Sequence, residues 1–190
     1  MPNVFDVLGH DHDEVKQMLA ELEAGPTAAT GASDSDLARR KKLVEQLVIE
    51  ESKHEAVEET YFWPAVRDKV PDGGQLAGTA IEQEQEGKEV LDKLDKAEAS
   101  EPEFEQLVTT INQAGREHIS YEETQVWPRL RTALSAQEAS DLGDKIEQGK
   151  KTAPTRPHPH TPASPAVLKT AGPAVAAADR ARDAASGRGE

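Results

Sequence analysis

The chain has 190 residues, 36% of them hydrophobic, which suffices for one buried core and little beyond it. A net charge of −14 excludes a surface built to track nucleic-acid phosphates, and the lack of cysteine removes disulfides, thiolate metal sites and cysteine nucleophiles. With no basic N-terminal segment and no apolar run of membrane-spanning length, the sequence reads as cytoplasmic, without a nucleic-acid or membrane partner.

Apolar residues recur at three- and four-residue steps from Phe5 through Leu8, Val15 and Leu19 to Leu22, predicting a first helix that stops at GPTAATGAS. A second helix is predicted from about Asp34 through Leu37, Val44, Leu47 and Tyr61 to Trp63, closed by PDGG at 71–74. A third carries Ala77, Ala80, Leu91 and Leu94 as far as SEPE, where Ser100 is placed to cap a fourth with Phe104, Leu107, Ile111, Ala114 and Val126. Ser135 and Glu138 form a capping box for a short fifth helix. No segment alternates as a strand would, and the connections are short. The expected fold is all-α, an up-down antiparallel four-helix bundle over residues 1–148.

Composition changes near Gly149. Residues 149–190 are rich in Pro and Ala, cannot bury enough surface to fold alone, and are predicted to be a disordered tail. Residues 150–190 hold seven Lys and Arg against three Asp and Glu, a balance of +4 that leaves −18 for residues 1–149. A basic tail on an acidic body has an electrostatic reason to fold back. His158 and His160 in that tail are expected to be solvated.

The polar residues carry the functional signal. His54 to Val66 reads HEAVEETYFWPAV, and 64 residues later His118 to Leu130 reads HISYEETQVWPRL, a shared frame of H-x-x-x-E-E-T-x-x-W-P. On a helix, positions i and i+4 project from one face, so each H-x-x-x-E presents an imidazole beside a carboxylate. A fainter repeat aligns HDEVKQMLAEL from His12 with EQEGKEVLDKL from Glu84, pairing Lys16 with Lys88. His12, His54, Glu58, Glu84, His118 and Glu122 all fall on the inward faces that the apolar residues define. Burying three acids with three imidazoles demands compensating positive charge, which metal ions supply. Each helix pair gives one ligand from its first helix and an H-x-x-x-E from its second, a pseudo-twofold arrangement suited to two ions, with Glu58 and Glu122 as the natural bridging pair. Oxygen and nitrogen donors without sulfur suit iron or manganese, and zinc is admissible. A ferritin-like site would carry Glu-x-x-His on two helices; here Glu51-Ser52-Lys53-His54 fits, while Gly115 stands at the matching place before His118.

With Asp11-His12 near the start of the first helix, the doubled H-x-x-x-E-E and its aromatic-Pro step resemble the hemerythrin-like HHE cation-binding family over residues 1 to about 148. The resemblance implies a non-heme di-iron centre inside a four-helix bundle, its two iron ions joined by an oxo or hydroxo group and by carboxylates. Residue by residue, His12, His54, Glu58, His118 and Glu122 match ligand positions of that family; Glu84 departs from it, since the family usually has His there. An anionic carboxylate at that place stabilises the ferric state and lowers the reduction potential, favouring turnover of peroxide or nitric oxide over reversible carriage of O2.

The expected partners are therefore the small molecules O2, H2O2 or NO, in catalase- or peroxidase-like protection or in sensing, with the chain a monomer or weak dimer. The alternative is a protein that buffers or senses iron without turnover, marked by labile, chelatable iron. Tyr121 is placed either to ligate or hydrogen-bond an iron or to pack in the core. Glu55, Glu59 and Glu123 neighbour the ligands off-centre and are expected either to be solvated or to support the ligands from behind, His10 is expected at the surface, and the Trp-Pro steps are expected to pack and kink the helix ends.

Overall fold

The computed structural model describes residues 2–161 and 164–188. The first helix, α1 (Val4–Ala24), starts at a capping box in which the Asn3 side chain accepts from Asp6 N–H while the Asp6 carboxylate receives Asn3 N–H. Ser33 and Asp36 form the same device ahead of α2 (Asp34–Val57). The second helix then passes through one widened π turn (Glu58–Phe62) into α3 (Trp63–Lys69). After the turn at Pro71-Asp72 comes α4 (Gly73–Lys96), and α5 (Pro102–Tyr121) passes through a second π turn (Glu122–Val126) into α6 (Trp127–Ala133). The fourth helix of the bundle is not capped by Ser100 as expected: Glu101 holds the N-cap without a side-chain bond and Pro102 opens the first turn, where its missing N–H is harmless. The Ser135–Glu138 capping box does begin α7 (Ala136–Lys150). Among the described residues there is no strand, and the helical bundle read from the sequence is the fold.

The two π turns fall on the E-E-T of the repeated frame. In each, the tryptophan N–H reaches back five residues, Trp63 to the Glu58 carbonyl and Trp127 to the Glu122 carbonyl. The hydroxyls of Thr60 and Thr124 donate to the carbonyls of Ala56 and Ser120, both at 2.6 Å. Pro64 and Pro128 follow at once, where a residue lacking an N–H costs least. The doubled sequence frame thus encodes a doubled backbone feature.

The core is divided in two. One apolar cluster gathers Leu8, Phe62, Trp63, Val66, Ala80, Trp127, Leu130 and Ile146. The other gathers Leu19, Leu22, Val44, Leu47, Leu91, Leu94, Phe104 and Ile111. Along α1, His12 lies between Leu8 of one cluster and Val15 of the other; along α4, Glu84 lies between Ala80 and Leu91. A polar layer is therefore held between two oily ones. Close contact of α7 with the start of α1 requires Gly143, because a Cβ there would stand 2.9 Å from Asn3 C and Val4 N. That approach puts the end of α7 beside the polar layer.

Disorder from 149 to 190 is not what the described part of that segment shows; 162–163 and 189–190 lie outside the described residues. The chain turns back at 151–161, and α8 (Pro165–Ser186) packs against the first π turn. Charge is the reason. Arg188 Nη2 meets Asp95 of α4 at 2.7 Å, Arg156 bridges Asp95 and Asp183, and Thr155 donates to Asp183 at 2.5 Å. Nor is His158 fully solvated, since it pairs with the buried Asp179 at 2.8 Å. Composition alone misses this because a small-residue helix can be held by the acidic body rather than by a core of its own.

Candidate metal centre

The six side chains singled out by the repeats converge in the polar layer. Ligand atoms of His12, His54, Glu58 and Glu122 lie within 4.8 Å of one another, as do those of Glu58, Glu84, His118 and Glu122. Glu58 and Glu122 are common to both groups, which is the bridging placement expected of them. Both are 0% exposed. Tyr121 is not brought in: its hydroxyl donates to the Leu76 carbonyl at 3.3 Å and its ring packs on the first apolar cluster. His10 is at the surface beside Glu14, as expected.

The histidines are aimed by their outer nitrogens. His12 Nδ1 lies 3.0 Å from Glu123 Oε1, His54 Nδ1 3.2 Å from Asp11 Oδ2, and His118 Nδ1 3.2 Å from Gln83 Oε1. Each partner accepts the Nδ1 proton, which leaves Nε2 free of hydrogen and directed at the centre. The partners are themselves fixed, Glu123 by Lys16 at 2.7 Å and Asp11 by Lys150 from the end of α7. Glu84 is held differently, its Oε1 receiving the indole N–H of Trp63. By the pseudo-twofold, Trp127 faces His12 and stacks on it, ring centroids 4.9 Å apart and planes 15° from parallel. The tryptophans thus do more than pack and kink.

At the centre itself hydrogen bonding fails. His12 Nε2 and Glu122 Oε2 are 3.2 Å apart, His54 Nε2 and Glu58 Oε2 3.3 Å, and His118 Nε2 and Glu122 Oε1 3.4 Å, in geometries that satisfy none of them. The three Nε2 atoms, all four oxygens of Glu58 and Glu122, and Oε2 of Glu84 are buried without a hydrogen-bond partner. Leaving so many acceptors unpaired costs far more than a folded domain tolerates. Cations bound to lone pairs resolve the deficit, and an all-nitrogen-and-oxygen donor set fits hard or borderline divalent ions.

Electrostatics agree. Burial, then the neighbouring Glu122 carboxylate, pushes Glu58 up to about 7. Burial also raises Glu84 and Glu55 well above the carboxylate range, with like charges adding to it. Glu122 is held low in spite of its burial, because His118 and His12 face it. Burial would lower His12 and His54, but the facing carboxylates raise both; in His118 burial prevails and its affinity for a proton falls. Between about pH 5 and pH 8, an acid or histidine raised on folding binds more protons folded than unfolded, so stability falls as pH rises. Only His118 opposes. The cation-free protein is therefore expected to melt higher at about pH 6 than at about pH 8, measured by scanning calorimetry with chelator present; equal melting temperatures would contradict it.

The sequence missed the supports rather than the ligands. Asp11 adjoins His12, yet it serves His54. Of the two roles expected for Glu59 and Glu123, the supporting one is seen: Glu59 is 4% exposed and pairs with Lys88, while the part-buried Glu123 holds His12. The paired lysines at 16 and 88 were the available signal, since each meets the second glutamate of one E-E doublet.

Comparison with known proteins agrees with this geometry. The family model described as Hemerythrin HHE cation binding domain matches residues 3–130. A hemerythrin-like protein of Schizosaccharomyces pombe is 27% identical over 184 residues, covering 96% of this chain and 86% of its own length. A DNA nickase of Nostoc sp. is 22% identical over 148 residues, 78% of this chain but 39% of the nickase, so the chain spans well under half of that relative. Among solved structures, a hemerythrin HHE cation-binding-domain protein from Mycobacterium kansasii superposes with a TM-score of 0.66 at 22% identity, over 94% of this chain and 99% of that one.

Proposed function

The chain belongs to the hemerythrin HHE cation-binding family, and from that premise we propose that it holds two iron ions and disproportionates peroxide to water and O2. The observation that carries this reading is the asymmetry of the donors, His12 with His54 on one side and Glu84 with His118 on the other, sharing Glu58 and Glu122. A third carboxylate in place of a second imidazole on one side favours the higher oxidation state. A pair of such ions, when bound, exchanges two electrons with a peroxide.

The protein's own contribution is positioning and exclusion. Asp11, Glu123 and Gln83 fix the imidazoles, and the Trp63 indole fixes Glu84 so that one oxygen stays turned to the centre. The chamber beside the centre is about 30 Å³ and is walled by Val15, Leu91, Ile111 and Ile119. That is room for a few water-sized groups, which suits a reactant of a few atoms. The nickase's substrate does not carry over, because a chain of net charge −14 repels a phosphate backbone.

The test is aerobic purification, metal analysis and an oxygen electrode. Two irons per chain, near-ultraviolet charge-transfer absorption and O2 evolution on adding peroxide are expected. Peroxide left intact, with iron that a mild chelator strips, would replace this reading by iron buffering.

A further inference from the structure

The two H-x-x-x-E helices are related by a step of 64 residues, and the symmetry is broken at two places that the ligand set does not use. Glu51 of α2 corresponds to Gly115 of α5, and Glu55 corresponds to Ile119. Both glutamates line the small chamber beside the centre, together with His12, His54, Glu84 and His118. They reach across the bundle toward glycines: a Cβ on Gly115 would stand 3.9 Å from Glu51 Oε1, and one on Gly87 would stand 3.6 Å from Glu55 Oε1. Gly87 is the counterpart of Val15 in the fainter repeat, so the chain has lost a side chain where Glu55 arrives.

Glu51 is half-buried, whereas Glu55 is 5% exposed and its Oε2 has no hydrogen-bond partner. One helical turn separates them, and the next inward residues on α2 are His54 and Glu58. Two further acids beside three buried carboxylates add repulsion that Lys88, already paired with Glu59, offsets in part at Glu55, and neither belongs to the converging ligand groups. They make sense as a staging point for a cation.

We propose that Glu51 and Glu55 form a transient divalent-cation site through which ions enter the centre. It rests on the two-cation reading above. Glu51, the less buried of the two, meets the hydrated ion first, Glu55 replaces part of its water shell, and the ion passes on to the stronger imidazole and carboxylate donors. The pair therefore governs the rate of loading and not the final occupancy.

The experiment is stopped-flow loading of chelator-stripped full-length protein with Co2+, read by its visible absorption, alongside a titration for stoichiometry. Wild type is expected to take two Co2+. The double variant E51Q/E55Q is expected to take two as well, but at least about tenfold more slowly, with a weaker dependence on ionic strength. Glu51→Asp, which keeps the charge, should retain the wild-type rate. A double variant that loads within about twofold of wild type, or one that binds fewer than two ions, would overturn the proposal. Wild type binding no Co2+ would instead overturn the two-cation reading on which it rests.

Discussion

Replacing Glu122 by alanine is expected to abolish binding of both cations at once. Its two oxygens belong to both donor groups, one lying 3.2 Å from His12 Nε2 and the other 3.4 Å from His118 Nε2. Removing a mere supporting residue around a metal costs about 10–100-fold in affinity, so losing a shared ligand costs more than about 100-fold at each site. Glu58→Ala should do the same. Glu84→Ala is expected to leave the His12–His54 side able to bind, giving about one ion per chain. Metal analysis after desalting reads the result directly; two ions retained by Glu122→Ala would be incompatible with a shared ligand.

Cation loading is expected to raise the melting temperature by roughly 10–20 °C. Ligand at about 100 times its dissociation constant stabilises by about 2.7 kcal/mol per site, so two sites give about 5 kcal/mol. In a chain of this size each kcal/mol moves the midpoint by roughly 2–4 °C. The stabilisation has a structural origin: each Nε2 and carboxylate oxygen left without a hydrogen bond in the polar layer gains a partner. Calorimetry with and without chelator measures it. A shift of less than about 3 °C would mean that the layer is satisfied by something other than cations.

The convergence of these six side chains was legible in the sequence because a helix converts spacing into direction. His54 with Glu58 and His118 with Glu122 needed only the i, i+4 rule, and the weaker His12–Glu84 correspondence supplied the other helix of each pair. The supports were not legible for the opposite reason. Lys150 reaches Asp11 across 139 positions and Trp63 reaches Glu84 across 21, so only the packed bundle brings them together. For Glu59 and Glu123 the sequence left solvation and support both open, and only the packed helices supply their partners, Lys88 and His12. At Tyr121 the count points inward, but a backbone carbonyl takes the hydroxyl. The tail misled because the groups that hold it, Asp95 in the body and Asp179 and Asp183 in its own helix, lie far from their partners in sequence.

The central claim is that the acids and imidazoles between the two apolar clusters are there to hold a pair of cations. Anomalous diffraction from crystals of the iron-loaded protein tests it most directly. Two peaks about 3.5–4 Å apart are predicted, both touching Glu58 and Glu122, one flanked by His12 and His54 and the other by Glu84 and His118. A single peak, or peaks away from these six side chains, would contradict it.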